Sequence, residues 1–129
     1  MASSRRFRMT VLVKPKEGMS FEDFFQYWQH THAVLFNSIA ISKRNLYKYE
    51  QFHVDPDSTA KLTKAWSPIM NPLPPYAGVG VFEADSPEKI LEIFDDEEYL
   101  RVVAPDEDKF VDRKAMQVLG GYYVSIFDL

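Results

Sequence analysis

The segment Phe21 to Phe36, FEDFFQYWQHTHAVLF, is the stretch that most restricts how this chain can fold. At helical spacing Phe21, Phe25, Trp28, His32, Leu35 and Ile39 recur at intervals of four and three, which predicts a helix to about Asn37 with those side chains on one buried stripe. His32 is thereby expected to face the interior. Imidazole is the side chain most easily moved across neutral pH, so a histidine on an apolar face is either a hydrogen-bonded core residue or a proton-transfer group. His30 lies well around the helix from the stripe and is read as solvated.

What flanks this helix decides the layer it packs on. Phe7, Met9, Val11 and Val13 alternate with Arg8, Thr10 and Leu12, the period of a strand with one buried face. Lys14-Pro15-Lys16-Glu17-Gly18 then reads as a turn, and Ser20 with Asp23 as a weak capping box. Between Asn45 and Val54 alternation returns, placing Tyr47, Tyr49, Gln51 and His53 on one face and Leu46, Lys48, Glu50 and Phe52 on the other. Asp55-Pro56-Asp57 ends that strand, and Ser58 to Trp66 fits a short helix with Leu62, Ala65 and Trp66 on one side. The proline-rich stretch 67–75 reads as a stiff cover over a pocket or a surface connection. Tyr76 to Glu83 reads as a third strand, and Ser86-Pro87 opens a second main helix marked by Ile90, Leu91, Phe94 and Tyr99. Pro105 to Asp112 is an acidic loop or short helix, and Tyr122 to Phe127 is expected to form the last strand. The order is strand, helix, strand, strand, helix, strand, which by layer rules gives an α+β fold, an antiparallel sheet with helices on one face.

At 129 residues the chain is expected to be one domain spanning 1–129. With 46% hydrophobic and 15% aromatic residues, it has apolar wall enough for a pocket suited to a nonpolar, aromatic small molecule. The net charge of −4 does not suggest nucleic-acid binding, and Arg5, Arg6 and Arg8 are too few to change that. No cysteine is present, which removes disulfides, zinc-thiolate sites and thiol nucleophiles. MASSRRFRM has no apolar run after its basic residues, and no segment approaches membrane-spanning length, so a cytoplasmic location without membrane association is expected.

His32 on a helix and His53 on a strand would share one cavity if the helix packs on the sheet, and these two imidazoles are the first candidates for chemistry. Tyr27, Tyr47, Tyr49, Tyr122 and Tyr123 could orient an oxygenated ligand, although such tyrosines more often bridge core and solvent. No metal pair occurs at i, i+4 spacing among the three histidines. The acidic runs Asp95-Asp96-Glu97-Glu98 and Asp106-Glu107-Asp108 read as wetted surface rather than a cation site. Gly78-Val79-Gly80 lacks the third glycine of a dinucleotide loop, and Walker and nucleophile-elbow motifs are absent, so no metal or cofactor is expected.

Taken together, KPKEGMSFEDFFQYW, YWQHTHA, KYEQFHVD, PYAGVGVFEADSPEKI and DEDKFVDR resemble the EthD domain family over most of the chain. The resemblance implies a ferredoxin-like βαββαβ fold with a four-stranded antiparallel sheet, two protomers pairing their sheets into a dimeric α/β barrel, and a pocket within each. It is strongest toward small polyketide-pathway enzymes that decarboxylate aromatic precursors. It therefore implies a cofactor-independent lyase acting on an aromatic or β-keto polyketide carboxylic acid. Dehydratases, aldol cyclases, cofactor-free monooxygenases and non-catalytic binding modules are the alternatives. By position in the motifs, His32 and His53 match the expected catalytic residues. Phe25, Tyr27, Trp28, Tyr49, Gln51 and Asp112 match expected substrate contacts. The 67–75 insertion departs from the family pattern.

Overall fold

The computed structural model describes residues 5–66 and 76–129, so the expectation for the proline-rich stretch 67–75 lies outside the described residues. Strand β1 (Phe7–Val13) buries Met9, Val11 and Val13, as its alternation predicts. It sits in a four-stranded antiparallel sheet of order β2-β3-β1-β4, with β2 Leu46–His53, β3 Gly78–Ala84 and β4 Gln117–Gly121. This is the ferredoxin-like arrangement. The helices cover the inner face, against which Phe24, Trp28, Ile90 and Phe110 pack. Among the described residues no helix is long and apolar enough to cross a membrane.

The first long helix is not continuous. It runs as α1 (Phe21–Tyr27), a π turn (Trp28–His32) and α2 (Ala33–Ser38), followed by α3 (Ala40–Asn45). The Ser20 hydroxyl caps it by accepting from the Asp23 amide at 3.0 Å. The buried side chains are Phe24, Trp28, His32 and Phe36, a constant spacing of four. In an uninterrupted α-helix, four-residue steps would drift by roughly 40° each. The wider π turn takes up the drift and keeps the row facing the sheet. Phe24 and Phe36 therefore occupy the core, while Leu35, expected on the stripe, is only half-buried.

Three other expectations need correction. A register shift between Leu46 and Lys48 turns Leu46 inward and leaves Tyr47 exposed, its hydroxyl donating to Asp85 Oδ1 at 2.7 Å. The last strand is Gln117–Gly121 rather than Tyr122 to Phe127, because Gly121 already pairs with Arg8 near the start of β1. Beyond it, Tyr122 and Tyr123 lie beneath Arg5 and Arg8, whose guanidinium carbons are 4.4 and 3.8 Å from the ring centres. The second main helix, α5 (Pro87–Asp95), buries Ile90 and Ile93 and exposes Leu91. Tyr99 stands on a separate π turn, Tyr99–Val103, which leads into α6 (Ala104–Glu107). Helix α4 (Pro56–Trp66) forms where expected, with no residue buried.

Candidate functional site

Both π turns border one partly open cavity of about 150 Å³ between sheet and helices. Trp28 and His32 come from the first turn, Tyr99 and Val103 from the second, and Glu107 from the end of α6. Phe36, Tyr49, Phe82 and Phe110 complete a mostly apolar wall. π turns widen a helix by one residue and recur at functional sites.

His32 is 8% exposed, and its Nδ1 lies 3.0 Å from Asp106 Oδ2. The other oxygen, Asp106 Oδ1, accepts from the Tyr27 hydroxyl at 2.5 Å. Burial by itself would raise the Asp106 carboxyl, but the hydrogen bonds from Tyr27 and His32 and the charges of His32 and Lys109 outweigh it. The carboxyl is held below its usual range. An ionised carboxylate only accepts, so His32 carries a proton on Nδ1, and whenever the imidazole is neutral Nε2 keeps the lone pair. Among the described residues Nε2 has no hydrogen-bond partner, and no buried side-chain nitrogen lacks one. Nε2 is therefore not sealed off, and the His32 ring to which it belongs lines the cavity. Tyr27, behind the carboxylate, has its hydroxyl pushed up to about 12 by burial and by its bond to Asp106, so it remains a donor. Asp106 is 4% exposed, which corrects the reading of Asp106-Glu107-Asp108 as wetted surface. A sequence gives no means of telling this carboxylate from the exposed Asp108 beside it.

His53 does not join His32. It lines a shallow external groove with Gln29, Ala33, Asn37, Tyr49 and Gln51, and Trp28 stands between it and the cavity. Its ring stacks on Phe25 at 4.4 Å and packs at 5.3 Å from Trp28. Gln51 Nε2 donates to the Trp28 carbonyl at 3.1 Å and to the Tyr49 hydroxyl at 2.9 Å. That orientation turns Gln51 Oε1 to His53 Nε2, 2.9 Å away, which must then be the protonated nitrogen. Burial lowers the His53 imidazole from its ordinary value. Tyr49 borders both spaces. Its oxygen accepts from Gln51, and among the described residues its own proton has no acceptor.

Of the residues singled out in the sequence, His32, Trp28 and Tyr49 line the cavity, whereas His53 and Gln51 line the groove. Phe25 supports His53, and Tyr27 supports Asp106. Asp112 borders neither space. Its backbone ties the chain to the end of β1, its amide donating to the Lys14 carbonyl at 2.9 Å. Asp106, Tyr99 and Glu107 went unrecognised as site residues. The available signal was the spacing of four at Tyr99, Val103 and Glu107, the same as in the first helix.

The molecule is thus a ferredoxin-like α+β protein in which a carboxylate-held histidine borders a cavity between sheet and helices. Residues 16–114 match the EthD domain model, and the chain belongs to the EthD domain family. It is 27% identical over 115 residues to the conidial pigment biosynthesis dehydratase EthD of Metarhizium robertsii, covering 89% of this chain and 80% of that protein. Among solved structures, the hydroxynitrile lyase of Passiflora edulis superposes with a TM-score of 0.63 at 12% identity, covering 98% of this chain and 100% of that one. A dimeric ferredoxin-like protein from Thermobifida fusca YX gives 0.57 at 8% identity, covering 94% and 93%. At such identities the two structures speak for the fold alone.

Proposed function

We propose that this chain is a lyase that removes water from a neutral, hydroxylated aromatic polyketide by acid–base catalysis at His32. The carrying observation is the Asp106–His32 pair, which fixes one imidazole nitrogen and leaves the other to the cavity. In this mechanism Nε2 takes a proton from carbon next to a substrate carbonyl. The Tyr49 hydroxyl donates to that carbonyl as the enolate forms. Asp106 stabilises the imidazolium, which returns its proton to the departing hydroxyl as the carbon–oxygen bond breaks, so that one alkene and one water are produced. Such assistance contributes typically ~10²–10⁴-fold.

Two observations favour water loss. The relative from Metarhizium robertsii is a dehydratase. The described cavity lining contains Glu107 and no lysine or arginine, so a substrate carboxylate would meet a like charge and have, in that lining, His32 alone as a group able to become cationic. Decarboxylation is the second reading, and the same apolar wall supports it by disfavouring a charged carboxylate relative to a hydrogen-bonded enolate. Mass spectrometry of purified protein incubated with hydroxylated polyketide ketones and the matching carboxylic acids tests both. Loss of water supports the proposal, loss of carbon dioxide transfers the assignment to decarboxylation, and gain of oxygen or no conversion overturns the lyase reading.

The outer sheet face supports homodimer formation as part of this reading. Phe52 and Leu119 stand on it 61% and 65% exposed, beside the half-buried Leu12, Val79 and Val81. An apolar sheet face of this kind is suited to cover by a second copy.

A further inference from the structure

The mechanism above uses Asp106 and leaves its neighbour unexplained. Glu107 also lines the cavity, and its Oε2 accepts from the Tyr99 hydroxyl at 2.9 Å, while Arg113 Nε approaches Oε1 at 3.7 Å. Consecutive carboxylates thus hold two cavity residues, His32 and Tyr99, on different helices. We infer that Tyr99 and Glu107 form a hydroxyl-recognition site that selects substrates carrying a second, proton-donating phenol or alcohol.

The argument rests on what each atom can still do. Tyr99 has one proton, and Glu107 holds it. Toward a ligand the phenolic oxygen therefore offers only lone pairs, and the carboxylate offers only lone pairs as well. A ligand hydroxyl placed here donates and is bound. A carbonyl, methoxy or carboxylate group placed here meets acceptors alone and leaves them unpaired. Burial first, then the charge and hydrogen bond of Glu107, push the Tyr99 hydroxyl well above its ordinary value, which keeps the proton in place across the working pH range. Discrimination by an unpaired buried polar group exceeds what an apolar wall achieves.

This inference rests on the cavity being the substrate site, and its test separates the two. Trp28 lines the cavity and reports binding through its fluorescence once the other tryptophan, the exposed Trp66, is replaced by Phe. A dihydroxynaphthalene and its monomethyl ether are titrated into this protein, into a Tyr99→Phe variant and into a Glu107→Gln variant. The expected result is a preference for the diol of roughly 10-fold or more, as for a hydrogen bond to a charge-assisted acceptor. Tyr99→Phe and Glu107→Gln should each narrow the preference, the double variant should bring diol affinity down to that of the ether, and affinity for the ether should stay unchanged. Equal binding of both probes by the parent, or an undiminished preference in folded Tyr99→Phe, overturns the inference. Selective binding without loss of water or carbon dioxide from any substrate supports the recognition site while defeating the lyase reading. Absence of any Trp28 response defeats both.

Discussion

Trp28 lies so close over Gly78 that a Cβ on the glycine would come within 2.7 Å of Trp28 Cζ3 and 2.4 Å of the Phe52 carbonyl oxygen. The glycine therefore lets the indole settle between the cavity and the His53 groove. Gly78→Ala should destabilise the fold by about 1–3 kcal/mol through overpacking and disturb Trp28 emission. Gly121→Ala, with nothing within 4 Å of its added carbon, should change little. Chemical denaturation of both variants checks the contrast.

His32→Ala should lower kcat by ~10²–10⁴-fold with the thermal transition still cooperative. Asp106→Asn should also lower kcat, because an amide no longer dictates which imidazole nitrogen carries the proton. Steady-state kinetics on the substrate identified by mass spectrometry make the comparison. A His32→Ala enzyme as active as the parent would remove the acid–base assignment.

Because His53 faces the groove and not the cavity, His53→Phe should preserve its stack on Phe25 and keep activity within roughly ten-fold of the parent, outside the range of a lost general base. A loss as large as that of His32→Ala would return His53 to the chemistry.

Stability should fall with acid in two windows. His53 is less basic when folded, so below its ordinary value of about 6.5 the unfolded chain binds the proton more readily and stability drops as pH falls. Asp106 is more acidic when folded. Its contribution is complete above about pH 4, the ordinary carboxylate value, and is lost as pH falls through its lower native value. Melting curves from pH 7 to pH 3 should show both, with His53→Phe flattening the upper window and Asp106→Asn the lower.

Leu119 projects from β4 on the outer sheet face. Placing a lysine there should shift the protein toward monomer in sedimentation velocity, since an unpaired charge is costly at a buried interface. An unchanged sedimentation coefficient would remove the outer sheet face as a subunit interface.

The features legible in the sequence were those that neighbouring residues decide. Alternation placed Met9, Val11 and Val13 inward, and Ser20 and Ser86 were recognised as caps because their hydroxyls answer amides three residues on. The inward turn of His32 was equally readable from its helical position. What escaped depended on long-range pairing or a change of winding. The shift at Leu46 reverses Tyr47 without altering the apparent alternation, and Asp106 gains its role only by meeting residues 74 and 79 positions away. The separation of His53 from His32 depends on how the Trp28 indole fills the space above Gly78, a packing detail that periodicity does not carry.

The widened turn at Trp28–His32 makes the aim of the His32 ring depend on residue count. The turn holds one residue more than ordinary winding, so the same segment wound as plain α-helix would swing everything downstream by roughly 100°. Phe24 would keep its seat while His32 lost Asp106. A one-residue deletion within the turn removes the surplus and keeps Phe36 facing the sheet, whereas the same deletion elsewhere in the helix turns the row away from it.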